Sequence, residues 1–356
     1  MRVLWLVWGL AAGLALRAEV APAQAAAIER LVLEQMANEG IPAVSAAVAI
    51  QGSPVWTAAY GFADVENAVP ARPESVFRLA SVSKPLTALI LMSLYDEGKL
   101  DLDAPVERYV PEFPEKPWPV TLRQLLAHQG GIRHYQGDEI QSTRHYSGVR
   151  QGLAMFAADP LAYEPGTRTQ YSSYGYNLAG AAAEGASGQT FESLLRERVL
   201  NPAGVSSIQP DHVYRLIPYR VRGYRRSAEG VLMNCGLTDT SNKLPGGGLS
   251  GTAAALVQVG NALLEGRLLK EETVRLMSVP VRRKDGSTGS YGLGWGLNRA
   301  AGQLYLEHSG GIQGSSTHWI VMPSRRIVIA LLANLEGAQV TSLARSLLGV
   351  LLEPQP

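Results

Sequence analysis

The chain has 356 residues, 46% apolar and 18% charged, enough for one large domain or two interleaved lobes around a sizeable core. A net charge of +1 leaves no electrostatic footprint for nucleic acid or for an acidic membrane surface. The single cysteine, Cys235, excludes an internal disulfide and reads as a buried thiol.

In chain order, residues 3–16 form an uncharged apolar run between Arg2 and Ala21-Pro22-Ala23, whose small-x-small form suits a signal peptidase. The run falls short of the roughly 20 residues a membrane span needs. Residues 1–23 therefore read as a secretory signal cleaved after Ala23, which makes the mature protein periplasmic or secreted with no stable membrane span. An uncleaved N-terminal anchor is the alternative. Residues 25–39 follow as an amphipathic helix with Ile28, Leu31, Val32 and Met36 on one side. Residues 43–50 and 55–63 are β-rich and are separated by Gly52-Ser53, the pattern of a hairpin.

The pattern then turns helical, with helices expected at 85–94, 121–127, 176–184, 191–199 and 253–264. Strands return at 291–297, 303–307, 317–321 and 327–332, with a turn at Pro323-Ser324, and residues 340–352 close the chain as a helix. Strands at both ends predict an α+β fold: one antiparallel sheet built from the two termini and flanked by helices, with a mainly helical domain inserted. The expected lobes are 24–84 with 276–356, and 85–275, with the active site in the cleft between them.

Three local patterns carry chemistry. In Ser81-Val82-Ser83-Lys84 the serine and the lysine three residues later project from nearly one helix face, so the amine reaches the Ser81 hydroxyl and, once desolvated, takes its proton. Ser83, adjacent to Lys84, points elsewhere. Tyr171, in the Tyr/Ser/Gly loop before a helix, is a candidate proton shuttle. His308-Ser309-Gly310-Gly311 follows a strand, where glycines let substrate approach the backbone and offer an amide N–H to an oxyanion. His128, His134 and His145 show no His-Glu-x-x-His spacing, and neither a metal nor another cofactor is expected. His128 reads as a structural hydrogen-bonding residue.

Taken together, these motifs resemble the penicillin-recognising serine hydrolases, in particular the class C beta-lactamase, D-alanyl-D-alanine carboxypeptidase and esterase type. Supporting segments are Tyr60-Gly61, residues 125–132, Pro165-Gly166 and Gly246-Gly247-Gly248-Leu249-Ser250, and Gly131-Ile132-Arg133-His134-Tyr135 resembles the mitochondrial serine beta-lactamase-like subgroup and its bacterial relatives. The resemblance implies Ser81 as acylated nucleophile, Lys84 as proton acceptor, Tyr171 as general base and leaving-group acid, and the Ser81 and Gly311 N–H groups as oxyanion hole. It also implies substrate contacts from Ser173, His308, Ser309, Gly310 and, through Gly223-Tyr224, from Tyr224.

Two positions depart from the family pattern. Ser173 replaces the asparagine of Tyr-x-Asn, and His308, mostly neutral at pH 7, replaces the lysine of Lys-Thr-Gly. The first lowers the expectation of peptide-like or beta-lactam side-chain recognition, and the second that of free-carboxylate recognition and of a beta-lactamase, without excluding a peptidase. The implied activity is hydrolysis of a peptide, D-amino-acid amide or ester through a Ser81 acyl-enzyme. The substrate is a small molecule or peptide, peptidoglycan fragments among them, and the oligomeric state is open. A beta-lactamase is the alternative, and a non-catalytic scaffold or peptidoglycan-binding protein is the reading from another class, since the mitochondrial subgroup forms filaments.

Overall fold

The computed structural model describes residues 20–52 and 55–353. Most of the expected signal segment lies outside them, while Ala21 is the N-cap and Pro22-Ala23 begin helix α1 (Pro22–Glu39). The strands are, in chain order, β1 (Ala43–Ile50), β2 (Trp56–Asp64), β3 (Val69–Pro70), β4 (Phe77–Arg78), β5 (Gln209–Pro210), β6 (Tyr224–Arg226), β7 (Leu232–Asn234), β8 (Leu249–Gly251), β9 (Gly296–Ala300), β10 (Gln303–Ile312), β11 (Ser315–Met322) and β12 (Ile327–Ala333). The main helices after α1 are α2 (Ser83–Asp96), α3 (Leu122–Leu126), α4 (Ser173–Ser187), α5 (Ala253–Leu264) and α6 (Val340–Leu352).

A seven-stranded sheet has the order β3-β2-β1-β12-β11-β10-β9, so strands from the two ends of the chain meet where β1 pairs antiparallel with β12. The uniformly apolar sequences of β1 and β12 follow from burial on both faces. Alternation with period two sends Ala43, Ala47 and Ala49 to the core shared with the helical lobe and Val44, Ala46 and Val48 to the core under α1 and α6. Val328, Ala330 and Leu332 of β12 divide from Ile327, Ile329 and Leu331 in the same way. Buried Asn334 ties the seam: its Oδ1 accepts from Ala43 N at 2.7 Å and its Nδ2 donates to Phe62 O at 3.1 Å.

Three expectations are corrected. Residues 253–264 were assigned to the helical lobe, but α5 packs on β1 and β12 and belongs to the sheet, because its Gly260 fits closely against Val328 and Val321. The strand expected at 291–297 begins only at Gly296, residues 291–295 being an irregular approach that buries Leu293 and Trp295, the latter against Trp319. His308 to Gly311 lie inside β10 and not beyond its end. Pairing with β11 continues through Ile312↔Ser315, while pairing with β9 stops at Glu307↔Gly296, leaving the His308–Ile312 edge of β10 free among the described residues.

Candidate active site

Ser81 lies in the short 3-10 turn Ala80–Val82 that leads into α2. That helix is apolar on nearly every side, and Leu86, Leu89, Ile90, Leu91 and Leu94 are all buried, so it forms the central post of the helical lobe. The turn before it is strained: Ala80 has a left-handed φ of 50°, unusual for a residue with a Cβ. Neighbouring groups hold it there. Ser83 Oγ donates to Ala80 O at 2.7 Å and accepts from Leu249 N at 3.2 Å, and Thr317 Oγ1 donates to Leu79 O at 2.8 Å. Ser83 is thus fully buried and committed to this brace, facing away from the nucleophile's partners.

Lys84 Nζ is 2.9 Å from Ser81 Oγ, 2.9 Å from Ser173 Oγ and 2.5 Å from Gly246 O. None of the three is charged. The side chain is completely buried, and desolvation without a counter-charge pushes the amine well below the usual lysine range. Gly246 permits this contact because a Cβ there would stand 2.7 Å from Ser173 O.

Tyr171 is 39% exposed, and its hydroxyl interacts with those of Ser81 and Ser173. Burial raises this phenol above its ordinary value despite those two hydrogen bonds, so it remains protonated. Lys84 Nζ lies 4.6 Å from the ring centroid. Ser173 opens α4, one residue after the N-cap Ser172, whose Oγ accepts from Gly175 N at 3.0 Å. Two imidazoles complete this helix start: Ser172 N donates to His128 Nδ1 and Ser173 N to His134 Nδ1, each at 3.1 Å. Their rings flank Tyr171 with centroid separations of 4.4 and 5.5 Å. Burial and the nearby Lys84 lower His134 to about 4 and carry His128 well below 6.5, so both are neutral acceptors at Nδ1.

His308 is buried, and its Nδ1 donates to Ser309 O at 2.6 Å, since a carbonyl only accepts. Its Nε2 is therefore a bare lone pair, with no protein hydrogen bond among the described residues. Desolvation, reinforced by Lys84, lowers this imidazole to about 3. Ser309 is exposed at the free edge of β10, and Gly310 is packed so tightly that a Cβ would come within 2.6 Å of Leu79 O and 3.0 Å of Ala80 Cβ. Gly311 is open: a Cβ there would meet nothing within 4 Å. Gly310 thus presses β10 onto the turn that carries Ser81.

Tyr224 does not line this cleft. It is buried in the core beneath α1 and α6, and its hydroxyl accepts from Val65 N at 2.8 Å, because β6 pairs with β7 and its Tyr224 end bridges to Leu335 on the far side of the sheet. Three site residues received no catalytic reading from the sequence. His134 and Tyr135 fall in the Gly131–Tyr135 run, whose family resemblance was their only signal. Tyr291, which packs 4.6 Å from His128 and 6.1 Å from His308, left none. Among the described residues no three His, Cys, Asp or Glu side chains converge as a metal site.

A serine held by a buried lysine amine beside a protonated tyrosine, where the antiparallel sheet meets the helices, defines a serine hydrolase of the penicillin-recognising type. A beta-lactamase family model matches residues 28–351, and the chain belongs to that family. It is 28% identical to the human mitochondrial serine beta-lactamase-like protein LACTB over 90% of this chain and 79% of that one. It is also 28% identical to a D-aminopeptidase of Gluconobacter oxydans, over 88% of this chain and 60% of the relative. Among solved structures, the octameric penicillin-binding protein homologue from Pyrococcus abyssi aligns with a TM-score of 0.79 at 25% identity, covering 92% of this chain and 77% of the other.

Proposed function

We propose that the protein is an exported hydrolase that cleaves D-amino-acid amides, short peptides or esters through an acyl-enzyme on Ser81. The observation that carries this reading is the Lys84 amine, buried without a counter-ion and hydrogen-bonded to Ser81. A neutral amine has two N–H donors and one lone pair. Gly246 O accepts one donor and Ser173 Oγ the other, which leaves the lone pair for the Ser81 proton. As Ser81 Oγ attacks, the proton passes to Lys84 and the oxyanion forms against the Ser81 and Gly311 N–H groups. Tyr171, kept protonated by burial, supplies a proton to the departing amine or alkoxide and regains one from Lys84. Water then attacks the ester along the reverse relay.

His308 supports the choice of substrate. A neutral imidazole brings no positive charge to the position where a lysine would meet a carboxylate, which is in keeping with substrates that lack a free carboxylate there. The free edge of β10 offers a backbone rail for a peptide-like substrate. The D-aminopeptidase relative is in keeping with this class. Export rests on the apolar run at 3–16 and the Ala21-Pro22-Ala23 site.

Intact-mass measurement after a fluorophosphonate, and separately after benzylpenicillin, tests the reading. The expected result is a stoichiometric fluorophosphonate adduct lost in Ser81→Ala, slower penicillin labelling, and turnover of D-alanine p-nitroanilide. An adduct that persists in Ser81→Ala overturns the assignment of the nucleophile.

A further inference from the structure

A cavity of about 550 Å³, within the size range of small-molecule sites, is lined by Arg78 of β4 and by Gly223, which packs against Gly314 in the turn between β10 and β11. Its wall carries three guanidinium groups, Arg78, Arg220 and Arg222, and one carboxylate, Asp239, with Val213 and Leu237 as an apolar rim, 38% and 87% exposed. Nothing in the chemistry assigned above uses them.

The cavity is tied to the nucleophile by two links. Arg78 precedes Ser81 by three residues, and its Nη1 donates to Gln313 O at 3.0 Å. Gln313 is two residues beyond Gly311, and at about 3.3 Å per residue the chain covers roughly 7 Å between them. The guanidinium thus stands one short acyl chain away from the oxyanion donors.

The wall charges are preorganised. Asp211, which is buried behind the wall, receives Arg78 Nε at 2.7 Å and faces Arg220 Nε at 3.7 Å, so one carboxylate orients two guanidiniums and leaves them a net positive charge. Asp239 has both oxygens engaged, by Ser241 N at 2.8 Å and His145 Nδ1 at 2.8 Å. Behind it, buried Lys243 donates to Ile140 O at 2.6 Å. Arg222 is held at the rim by Asp64 at 2.9 Å and Glu66 at 3.3 Å. Among the described residues Arg78 Nη2 donates to no protein acceptor, and Arg220 Nη2 is held by the His212 and Arg215 carbonyls, which do not neutralise it.

We propose that this cavity is an acyl-side subsite for a carboxylate, so that the enzyme prefers acyl donors carrying a carboxylate a few bonds from the scissile carbonyl, such as an acidic residue on the acyl side of the cleaved bond. The carboxylate bonds to Arg78 and Arg220, and the methylene chain crosses the Val213–Leu237 rim. The inference rests on the Ser81 acyl-enzyme reading and adds its specificity.

The test compares p-nitrophenyl hexanoate with the mono-p-nitrophenyl ester of adipic acid, which differs by a terminal carboxylate at equal chain length, with spontaneous hydrolysis subtracted. The expected result is at least a tenfold higher kcat/KM for the adipate ester, shrinking as salt is raised from 0.05 to 0.5 M. Arg220→Gln is expected to lower the adipate value at least tenfold and to leave the hexanoate value within twofold. Fluorophosphonate labelling of Ser81 in that variant confirms an intact site. Equal rates for the two esters in the wild type overturn the subsite whether or not the variant folds. So does an Arg220→Gln variant that is labelled normally and keeps the preference. Absence of any Ser81 adduct and of hydrolysis of both esters instead overturns the acyl-enzyme reading.

Discussion

Ser173→Ala is the substitution that most directly probes the neutral-amine relay. The Ser173 hydroxyl accepts from the Lys84 amine, and in the proposed relay its removal leaves either an orphaned buried N–H or an amine free to rotate its lone pair away from Ser81. An unsatisfied buried donor costs about 1–3 kcal/mol. Expressed in the acylation transition state at about 1.4 kcal/mol per decade, that is a roughly 5- to 140-fold slower reaction. The assay is the second-order rate constant for fluorophosphonate inactivation, read by intact mass, with KM for a short p-nitrophenyl ester measured in parallel. The rate constant is expected to fall and KM to hold within about twofold, because Ser173 is buried and its hydroxyl is engaged by Lys84 and Tyr171. A thermal melt separates this from damage to the start of α4. Inactivation at the wild-type rate in a folded Ser173→Ala protein refutes the relay.

Gly310→Ala is expected to fold yet lose at least tenfold in kcat/KM for any ester, since the added Cβ meets Leu79 O at 2.6 Å and β10 must withdraw from the nucleophile's turn; the steady-state rate reads this directly. Asn334→Ala leaves the buried Ala43 N–H without its partner and frees the Phe62 carbonyl at the exposed end of β2, so urea unfolding is expected to show about 1–3 kcal/mol lost at an unchanged m-value. Acid stability follows from His128, His134 and His308, which bind protons more weakly folded than unfolded; the stability this represents is full above about pH 6.5 and drains as pH falls toward the folded values of about 4 for His134 and about 3 for His308. Melting temperature is therefore expected to decline between pH 6.5 and 4, and to decline less in His134→Asn, whose Oδ1 keeps the acceptor for Ser173 N without a titrating group.

The sheet was legible because its strands are long, apolar and bounded by turns, and β1 occupies the expected residues. The His308–Gly311 stretch was misplaced for a physical reason. Its polar and glycine residues read as a strand end, yet β11 pairs along all of it, and the unpaired side is the open edge that faces the cleft. Ser81 and Lys84 were legible since their relation is local, one helical turn apart. The imidazole acceptors of Ser172 and Ser173 were not, because His128 and His134 lie 44 and 39 residues from the helix they cap and no periodicity encodes that. Tyr224 shows the converse: a dipeptide match placed it in the cleft, and the β6–β7 pairing sends its ring into the opposite core.

The reactive amine depends on what the fold keeps away from it. A carboxylate beside Lys84 would restore its proton and end its use as a base. The residue next to His308 is Glu307, whose carboxyl is held near 2 by hydrogen bonds from His318, Arg345 and Asn298 that overcome its desolvation. Adjacent strand residues face opposite ways, so β10 delivers a neutral imidazole to the cleft and a permanent anion to the α6 face. A one-residue slip of β10 would exchange them. The slip is opposed from both faces: Gly310 is the position that fits against Leu79 and Ala80, and Glu307 is the side chain that reaches Arg345 of α6. The clamp formed by Gly310 and Glu307 therefore keeps the Glu307 carboxylate on the α6 face, while burial holds the Lys84 amine below its ordinary range, and so the packing of the sheet meets the chemistry proposed for Ser81.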